Sequence, residues 1–441
     1  MKIRQFKIST KRVQINYMSG SLFSLKVVAF LFAFMCLICL NRGAVGQTEP
    51  NLLASAVAAY EQGDYKNLLS FTEQLYIQKP NGANVLRLHA AALAFNGKKR
   101  KSLQILKEWV YKDATVPFAN HPDFESLTSM SGFVELVNIQ QALSRPVVYD
   151  EVFVRVSINS ASKWQGLYIL NDSTVLVGEK DKRKIWAVSK NGNLKEWLDV
   201  PFSPLFIKKH PFTNDFWLAT AALPETSTYQ PHERGISNVL KVSAEKKLIL
   251  QGVEFKEQNI ITHLEIDLKN RLWTSQGATA YLTRNVTDTA LYYGAFARNY
   301  FDLRDSHQSI RGMAISDDQK TLYFIDGKEG IFRIDIQTLN IEKLFAPDDV
   351  VLTGMDEIFY YKNTLIVIHN KSRPYRVMQY FLNNTGATLL FGNAINSGGK
   401  DLNKPVSGQF YKGYFYYIAN SVSQNETTNI TRDLIIRRMK L

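Results

Sequence analysis

The sequence predicts a mainly β chain, a six-bladed β-propeller preceded by a small α-helical domain. Three observations predict it. Short apolar runs cut by Gly and Asp dominate from Glu151 onward, they group into units of about 40 residues, and only the stretch before about Lys112 has helical spacing. The clearest unit runs from Ser309 to Ala346, with apolar runs Gly312 to Ser316, Thr321 to Ile325, Ile331 to Asp335 and Asn340 to Phe345. Asp317-Asp318, Asp326-Gly327 and Gly330 punctuate them as hairpin turns. Apolar residues at consecutive positions suit strands covered on both faces, as in a propeller blade.

The expected domains are a signal peptide at 1–46, a helical domain at 47–145 and the propeller at 146–441. Met1 to Lys26 is basic and polar, and Val27 to Leu40 is an apolar run too short to span a bilayer comfortably. Ala44-Val45-Gly46 places small residues before an expected cleavage at Gln47, with Met18 an alternative start. The rival reading is an uncleaved anchor. A lipoprotein is disfavoured because no lipobox precedes Cys36 or Cys39. The expected location is outside the cytoplasm, periplasmic or secreted, with membrane contact only through this segment if it is retained.

Cleavage removes both cysteines, and with them any thiol nucleophile, thiolate ligand or disulfide. The net charge is +13. Seven basic residues and no acidic ones lie before Gln47, so the mature chain carries +6. Spread over about 395 residues, that surplus is no nucleic-acid footprint.

Asn51 to Lys112 alternates apolar helical stretches with breaks at Gly63-Asp64, Pro80 and Gly97. Ala56, Tyr60, Gly63, Asp64 and Tyr65 form an arrangement that resembles a tetratricopeptide repeat, and the stretch from Ala83 repeats it. In such repeats small residues let paired helices approach and aromatics fill the gap between pairs. Phe124, Leu127, Phe133 and Leu136 read as the apolar side of a helical cap. Lys98-Lys99-Arg100-Lys101 reads as a solvated inter-helix turn. A protein or peptide is the expected partner of this domain.

Trp164 to Leu198 forms the first blade, with a hairpin at Asn191-Gly192. The second starts at Pro204, the third at Thr262, the fourth is Ser309 to Ala346, and the fifth starts at Met355. The sixth, Gly408 to Ser421, lacks outer strands, which Leu434 to Leu441 and Glu151 to Val156 can supply. Closure by both chain ends would leave no open sheet edge.

Six such units, with GMAISDDQKTLYFID, LFAPDDVVLTGMDEIFYYKNTLIVIHN and FYYIANS among them, resemble the SMP-30/gluconolactonase/LRE-like superfamily, with NHL-repeat and strictosidine-synthase-like proteins as neighbours. The resemblance implies a divalent cation held at the tunnel mouth by Glu, Asn and Asp, polarising a lactone carbonyl and activating water. Carried over by position, those ligands fall on Gln165, Arg311 and Thr353, beside Gly166, Gly312 and Gly354. A neutral amide, a cation and a hydroxyl stand in their place, and a shift of one register would bring in only Asp356, one carboxylate where a site needs several. No metal and no other cofactor is therefore expected.

The candidate ligand-binding residues at the tunnel mouth are Gln165, His263, Arg311, Thr353, Asp356 and His369. No catalytic residue is assigned. The sequence has no G-x-S-x-G, H-E-x-x-H, Walker or G-x-G-x-x-G motif. Asp267, Asp317, Asp326 and Asp335 read as turn caps. The expected function is an exported ligand-binding or interaction module taking a small polar or anionic ligand near Arg311. The alternatives are a lactone or ester hydrolase with an altered site, and a structural scaffold of an envelope complex.

Overall fold

The computed structural model describes residues 49–80, 82–158, 162–255, 261–269, 271–276, 281–285, 299–302, 310–348, 350–422 and 433–441. The segment read as a signal, with Cys36 and Cys39, lies outside the described residues. No helix among the described residues is long and apolar enough to cross a membrane.

The chain divides into two compact units, one ending at Gln78 and one spanning Lys79–Leu441. In the first, α1 (Glu49–Glu61) and α2 (Tyr65–Gln78) form a hairpin that buries Leu52, Ala56 and Ala59 with Leu68, Leu69 and Leu75. Gly63 takes φ +70 at the turn, where a Cβ would meet no atom, so glycine is needed for its backbone alone. Asp64 accepts from the Asn67 N–H at 3.2 Å and caps α2.

The second unit begins with α3 (Ala83–Phe95), α4 (Lys99–Lys112), a 3₁₀ turn at Pro122–Leu127 and α5 (Ser131–Ser144). Gly97, at φ +71, ends the loop early. Only Lys98 of the basic run therefore lies in the turn, while Lys99 to Lys101 form the exposed first turn of α4. Trp109, Phe118, Phe124 and Phe133 pack together with ring centroids 5.4 to 6.4 Å apart.

The end of α4 is hydrogen-bonded to the sheets. The Arg373 N–H donates to Lys112 O at 2.9 Å, and the Ala114 N–H donates to Arg373 O at 2.8 Å. Buried Arg376 donates to Tyr111 O at 3.4 Å and Ser372 Oγ at 3.1 Å. The negative end of the α4 dipole thus faces a guanidinium. These bonds place α3 to α5 in one unit with the sheets, so the compact-unit boundary falls inside the 47–145 stretch.

The sheets form a propeller-like arrangement. After β1 (Val147–Val148) and β2 (Glu151–Val156), the first meander is β3 (Trp164–Asn171), β4 (Thr174–Glu179), β5 (Lys184–Ser189) and β6 (Leu194–Asp199). Next come β7 (Ser203–Lys209), β8 (Phe216–Ala221), β9 (Ser237–Ser243) and β10 (Leu248–Phe255). The third is β11 (Ile261–Ile266), β12 (Leu272–Gln276), β13 (Tyr281–Asn285) and β14 (Asn299–Asp302). The fourth is β15 (Ile310–Ile315), β16 (Thr321–Asp326), β17 (Gly330–Asp335) and β18 (Ile341–Lys343). In the fifth, β19 (Met355–Tyr361), β20 (Thr364–His369), β21 (Arg376–Leu382) and β22 (Leu389–Ser397) are edged by β1. The last sheet is β23 (Val406–Tyr411), β24 (Tyr414–Ile418), β25 (Leu434–Lys440) and β2.

Each sheet packs its apolar face on the next. Leu176 and Trp197 meet Ile207 and Phe216, Phe206 and Trp217 meet Ile261 and Leu264, and Trp273 meets Ile310 and Phe324. Further round, Tyr323 and Ile325 meet Ile358 and Val367, and Ile366 and Val377 meet Phe415 and Tyr417. Ile418 and Ile436 of the last sheet then meet Trp164 and Leu167 of the first.

Strand β25 lies between β24 and β2, paired from Leu434↔Val156 to Arg438↔Glu151 with one bulge between Val152 and Val154. Its Arg437 pairs with the buried Asp150 carboxylate at 2.9 Å, which also accepts from Asn396 and the Tyr417 hydroxyl. Deleting Leu434 to Leu441 would strip both neighbours and leave Asp150 without its counter-charge. Solubility and melting of the truncated chain should show insoluble or strongly destabilised protein; a truncated chain that melts with the intact one contradicts this.

Candidate functional site

Each first strand of the six sheets carries a register break near its start. The breaks fall between Gln165 and Leu167, Pro204 and Phe206, Ile261 and His263, Ile310 and Met313, Met355 and Glu357, and Val406 and Gly408. A bulge leaves one residue out of the ladder and re-aims its side chain. Arg311 and Asp356 occupy two of these positions, on adjacent first strands, and their side chains meet at 2.8 Å. Gly312 permits that approach, because a Cβ there would sit 2.6 Å from Glu357 Cα.

The Asp356 carboxylate is fully engaged. Arg311 Nη1 holds Oδ1, Asn370 Nδ2 donates to Oδ2 at 2.8 Å, and Lys371 Nζ lies 3.8 Å away. Burial alone would raise its pKa, but Lys371 and Arg311, with the hydrogen bonds from Arg311 and Asn370, hold it below the ordinary range. Lys112, at the end of α4, faces the same space. Burial, then repulsion from Arg311 and Lys371, pushes its pKa down. Lys112, Arg311, Thr353 and Lys371 line a mouth cavity of about 410 Å³.

The other sequence-predicted residues are dispersed. Gln165 accepts from Lys180 Nζ at 3.2 Å on the first sheet. His263 follows the β11 bulge, with its ring 4.9 Å from Phe206 and Nδ1 3.5 Å from Ser275 Oγ. Burial brings it to about 4, with Asp356 opposing and Arg311 and Lys208 assisting, so it is neutral at pH 7. Thr353 precedes β19, and its carbonyl lies 2.9 Å from His369 Nδ1. That nitrogen faces an acceptor and so carries the proton, while Nε2 lies 3.0 Å from the Tyr380 hydroxyl, which donates to Val351 O at 2.8 Å. His369 sits on the second strand of its sheet, buried to a pKa of about 3, and props the Thr353 loop. Of the six candidates, two pairs meet: Arg311 with Asp356 through their side chains, and His369 with Thr353 through the Thr353 carbonyl.

Sequence reasoning missed Lys112, Lys180, Asn370, Lys371, Glu357 and Ser407. Glu357 is buried beside Asp356 and accepts from the Ser407 N–H at 2.9 Å. Ser407 Oγ in turn accepts from the Gly166 N–H at 2.9 Å, which ties β19 to β23 and β3. Burial raises Glu357 to about 8, with Asp356 adding and Ser407 opposing. A second cavity of about 320 Å³ is lined by Phe206, Phe359, Phe410 and the Lys208–Glu265 pair, whose charged atoms are 2.7 Å apart.

A hard divalent cation wants several anionic oxygens. The one mouth carboxylate at a bulge is already bound by Arg311 and Asn370 and flanked by Lys371, so these residues do not suit such an ion. Among the described residues no group of three or more His, Cys, Asp or Glu is placed to hold a metal.

No family model matches this sequence, and no curated protein matches it. Solved structures do align with it. A virginiamycin B lyase from Staphylococcus aureus is 11% identical over 65% of this chain and 98% of its own, with a TM-score of 0.43. A putative oxidoreductase (glucose dehydrogenase) from Thermus thermophilus is 11% identical over 66% of this chain and 100% of its own, at 0.44. A gluconolactonase from Xanthomonas campestris is 10% identical over 68% of this chain and 98% of its own, at 0.43. Likeness at this level carries no activity across.

Glu357 makes a testable statement about stability. Its folded pKa, about 8, lies above the ordinary 4.5, so between those values the folded chain keeps a proton that the unfolded chain has lost. Stability should therefore fall as pH rises through that window, by up to about 1.4 kcal/mol per pH unit from this group. Glu357→Gln, which can still accept from Ser407, should remove that slope in urea melts. Equal slopes in both proteins would contradict the assignment.

Proposed function

We propose that this protein is an exported, six-bladed propeller of SMP-30/gluconolactonase-like architecture that binds a small anionic ligand at its mouth. The observation that carries this reading is the Arg311–Asp356 pair at 2.8 Å, set among Lys112 and Lys371. Around the cavity Lys107, Lys112, Arg311, Lys328 and Lys371 outnumber Asp326, Glu329, Asp348 and the neighbouring Asp356, which leaves an excess of positive charge. Focused in a concave site, such charge favours a carboxylate, phosphate or sulfate and repels a divalent cation. The six mutually packed sheets, with the last against the first, support the six-bladed count. The helices before them are read as tetratricopeptide-like and as a surface for a protein or peptide.

Thermal unfolding with a panel of small ions tests the reading. Oxalate, phosphate or sulfate at about a hundred times its dissociation constant should stabilise the protein by roughly 2.7 kcal/mol, a shift of several degrees. Calcium, manganese, magnesium and zinc should leave the transition in place. The double variant Lys112→Gln with Lys371→Gln removes two of the cavity's cations while leaving the Arg311–Asp356 pair intact, and it should lose most of the anion response. A saturable shift with a divalent cation, or an unchanged anion response in the double variant, would overturn the proposal.

A further inference from the structure

The first strands enclose a channel that the mouth does not use. A cavity of about 320 Å³ is lined by residues of β3, β7, β11, β15, β19 and β23, and it shares no lining residue with the mouth cavity. It runs from Gly166 and Ser407, near the starts of their strands, to Ile315 and exposed Lys209, the last residues of β15 and β7. Arg311 and Asp356 stand at the strand starts, so this cavity opens at the opposite end of the ring. Its walls are aromatic and preformed. Phe359 and Phe410 each pack on buried Phe415, with ring centroids 5.2 Å apart, and Phe206 packs on His263 at 4.9 Å. Within these walls Lys208 Nζ donates to Glu265 Oε1 at 2.7 Å, bridging β7 to β11. Among the described residues, Glu265 Oε2 and the other two ammonium hydrogens have no hydrogen-bond partner. Both heads are partly open, with 27% of the lysine side chain and 14% of the glutamate side chain exposed. One unused acceptor and two unused donors thus stand side by side against an apolar wall. The remaining charged residue of the lining, Lys209, is exposed, where water and salt screen it.

We propose that this end of the channel binds a free α-amino acid with an apolar side chain. Its ammonium meets Glu265, its carboxylate meets Lys208, and its side chain lies against Phe206, Phe359 and Phe410. A zwitterion matches an ion pair head to tail, so all four charges keep an opposite neighbour. A plain anion is repelled by Glu265 and a plain cation by Lys208, so each gains at one end and loses at the other. The aromatic faces cover an aliphatic or aromatic side chain, which glycine cannot offer. The cavity is at the small end of the range for ligand sites, which suits a single amino acid better than a peptide. The inference is separate from the anion reading of the mouth.

Calorimetric titration of the full chain with L-phenylalanine tests it, against 3-phenylpropionate, phenethylamine and glycine. Phenylalanine should bind at one site per chain. Phenylpropionate and phenethylamine each lack one charge-assisted hydrogen bond, so each should bind about tenfold or more weakly, and glycine should not register. Sulfate, a ligand for the mouth, should not displace phenylalanine. The double variant Lys208→Met with Glu265→Gln removes both charges together and strands neither. It should weaken phenylalanine binding by at least about tenfold and leave the sulfate response unchanged. If that variant fails to fold, crystals of the unaltered protein soaked in 4-bromo-L-phenylalanine carry the test, with an anomalous bromine peak expected among Phe206, Phe359 and Phe410. No binding of phenylalanine in solution, phenylpropionate binding as tightly, unchanged affinity in the double variant, or a bromine peak elsewhere overturns the inference. Displacement of phenylalanine by sulfate overturns it too, since that would put the amino acid at the mouth.

Discussion

The structure depends on where strand β25 is held. It carries no turn or site of its own, yet it joins the last sheet to β2 from the other end of the β region. The bond is specific as well as apolar. Arg437 reaches Asp150 at 2.9 Å, and Tyr417 and Asn396 complete the carboxylate's partners. A buried ion pair is a weak source of net stability, but breaking one side of it is costly, which suits a joint that must not slip register. Ile435 and Ile436 bury their side chains on opposite faces of the same strand.

With the ring of packed sheets held, the repeated bulge becomes the device that makes a site. Six first strands break register near their starts, and Arg311 and Asp356 come from two neighbouring breaks. Gly166, at φ +79, and Ser407, at φ +52, take left-handed backbone at two others. The bonds Ser407 makes to Glu357 and Gly166 then lock those strands together below the mouth. The helical segment contributes as well. Arg376 holds the end of α4 through the Tyr111 carbonyl, and that contact sets Lys112 over the same cavity.

Much of the sheet architecture was legible because its determinants are local. Asp326-Gly327 and Asn191-Gly192 mark their hairpins, and the apolar runs of β4, β8, β16 and β20 announce strands buried on both faces. The pairing of Leu434–Leu441 with Glu151–Val156 followed from the need to cover edges, and β2 and β25 do pair. The site was less legible. Position alone pointed to Thr353, which precedes β19, whereas the bulge residue is Asp356, three positions further on and also among the candidates. Lys112, Lys180 and Lys371 belong to segments far apart in the chain, and only the fold brings them near one another. His369 looked like a tunnel residue because it ends a strand, but its ring turns to Thr353 and Tyr380 between elements.

The central claim is that the mouth selects negative charge because Lys107, Lys112, Arg311, Lys328 and Lys371 outnumber Asp326, Glu329, Asp348 and Asp356 around it. Anomalous diffraction from crystals soaked in bromide and, separately, in manganese tests it most directly. The account predicts a bromide peak among Arg311, Lys112 and Lys371, with no manganese peak at Asp356. Manganese bound to Asp356, with Arg311 turned away, would contradict it.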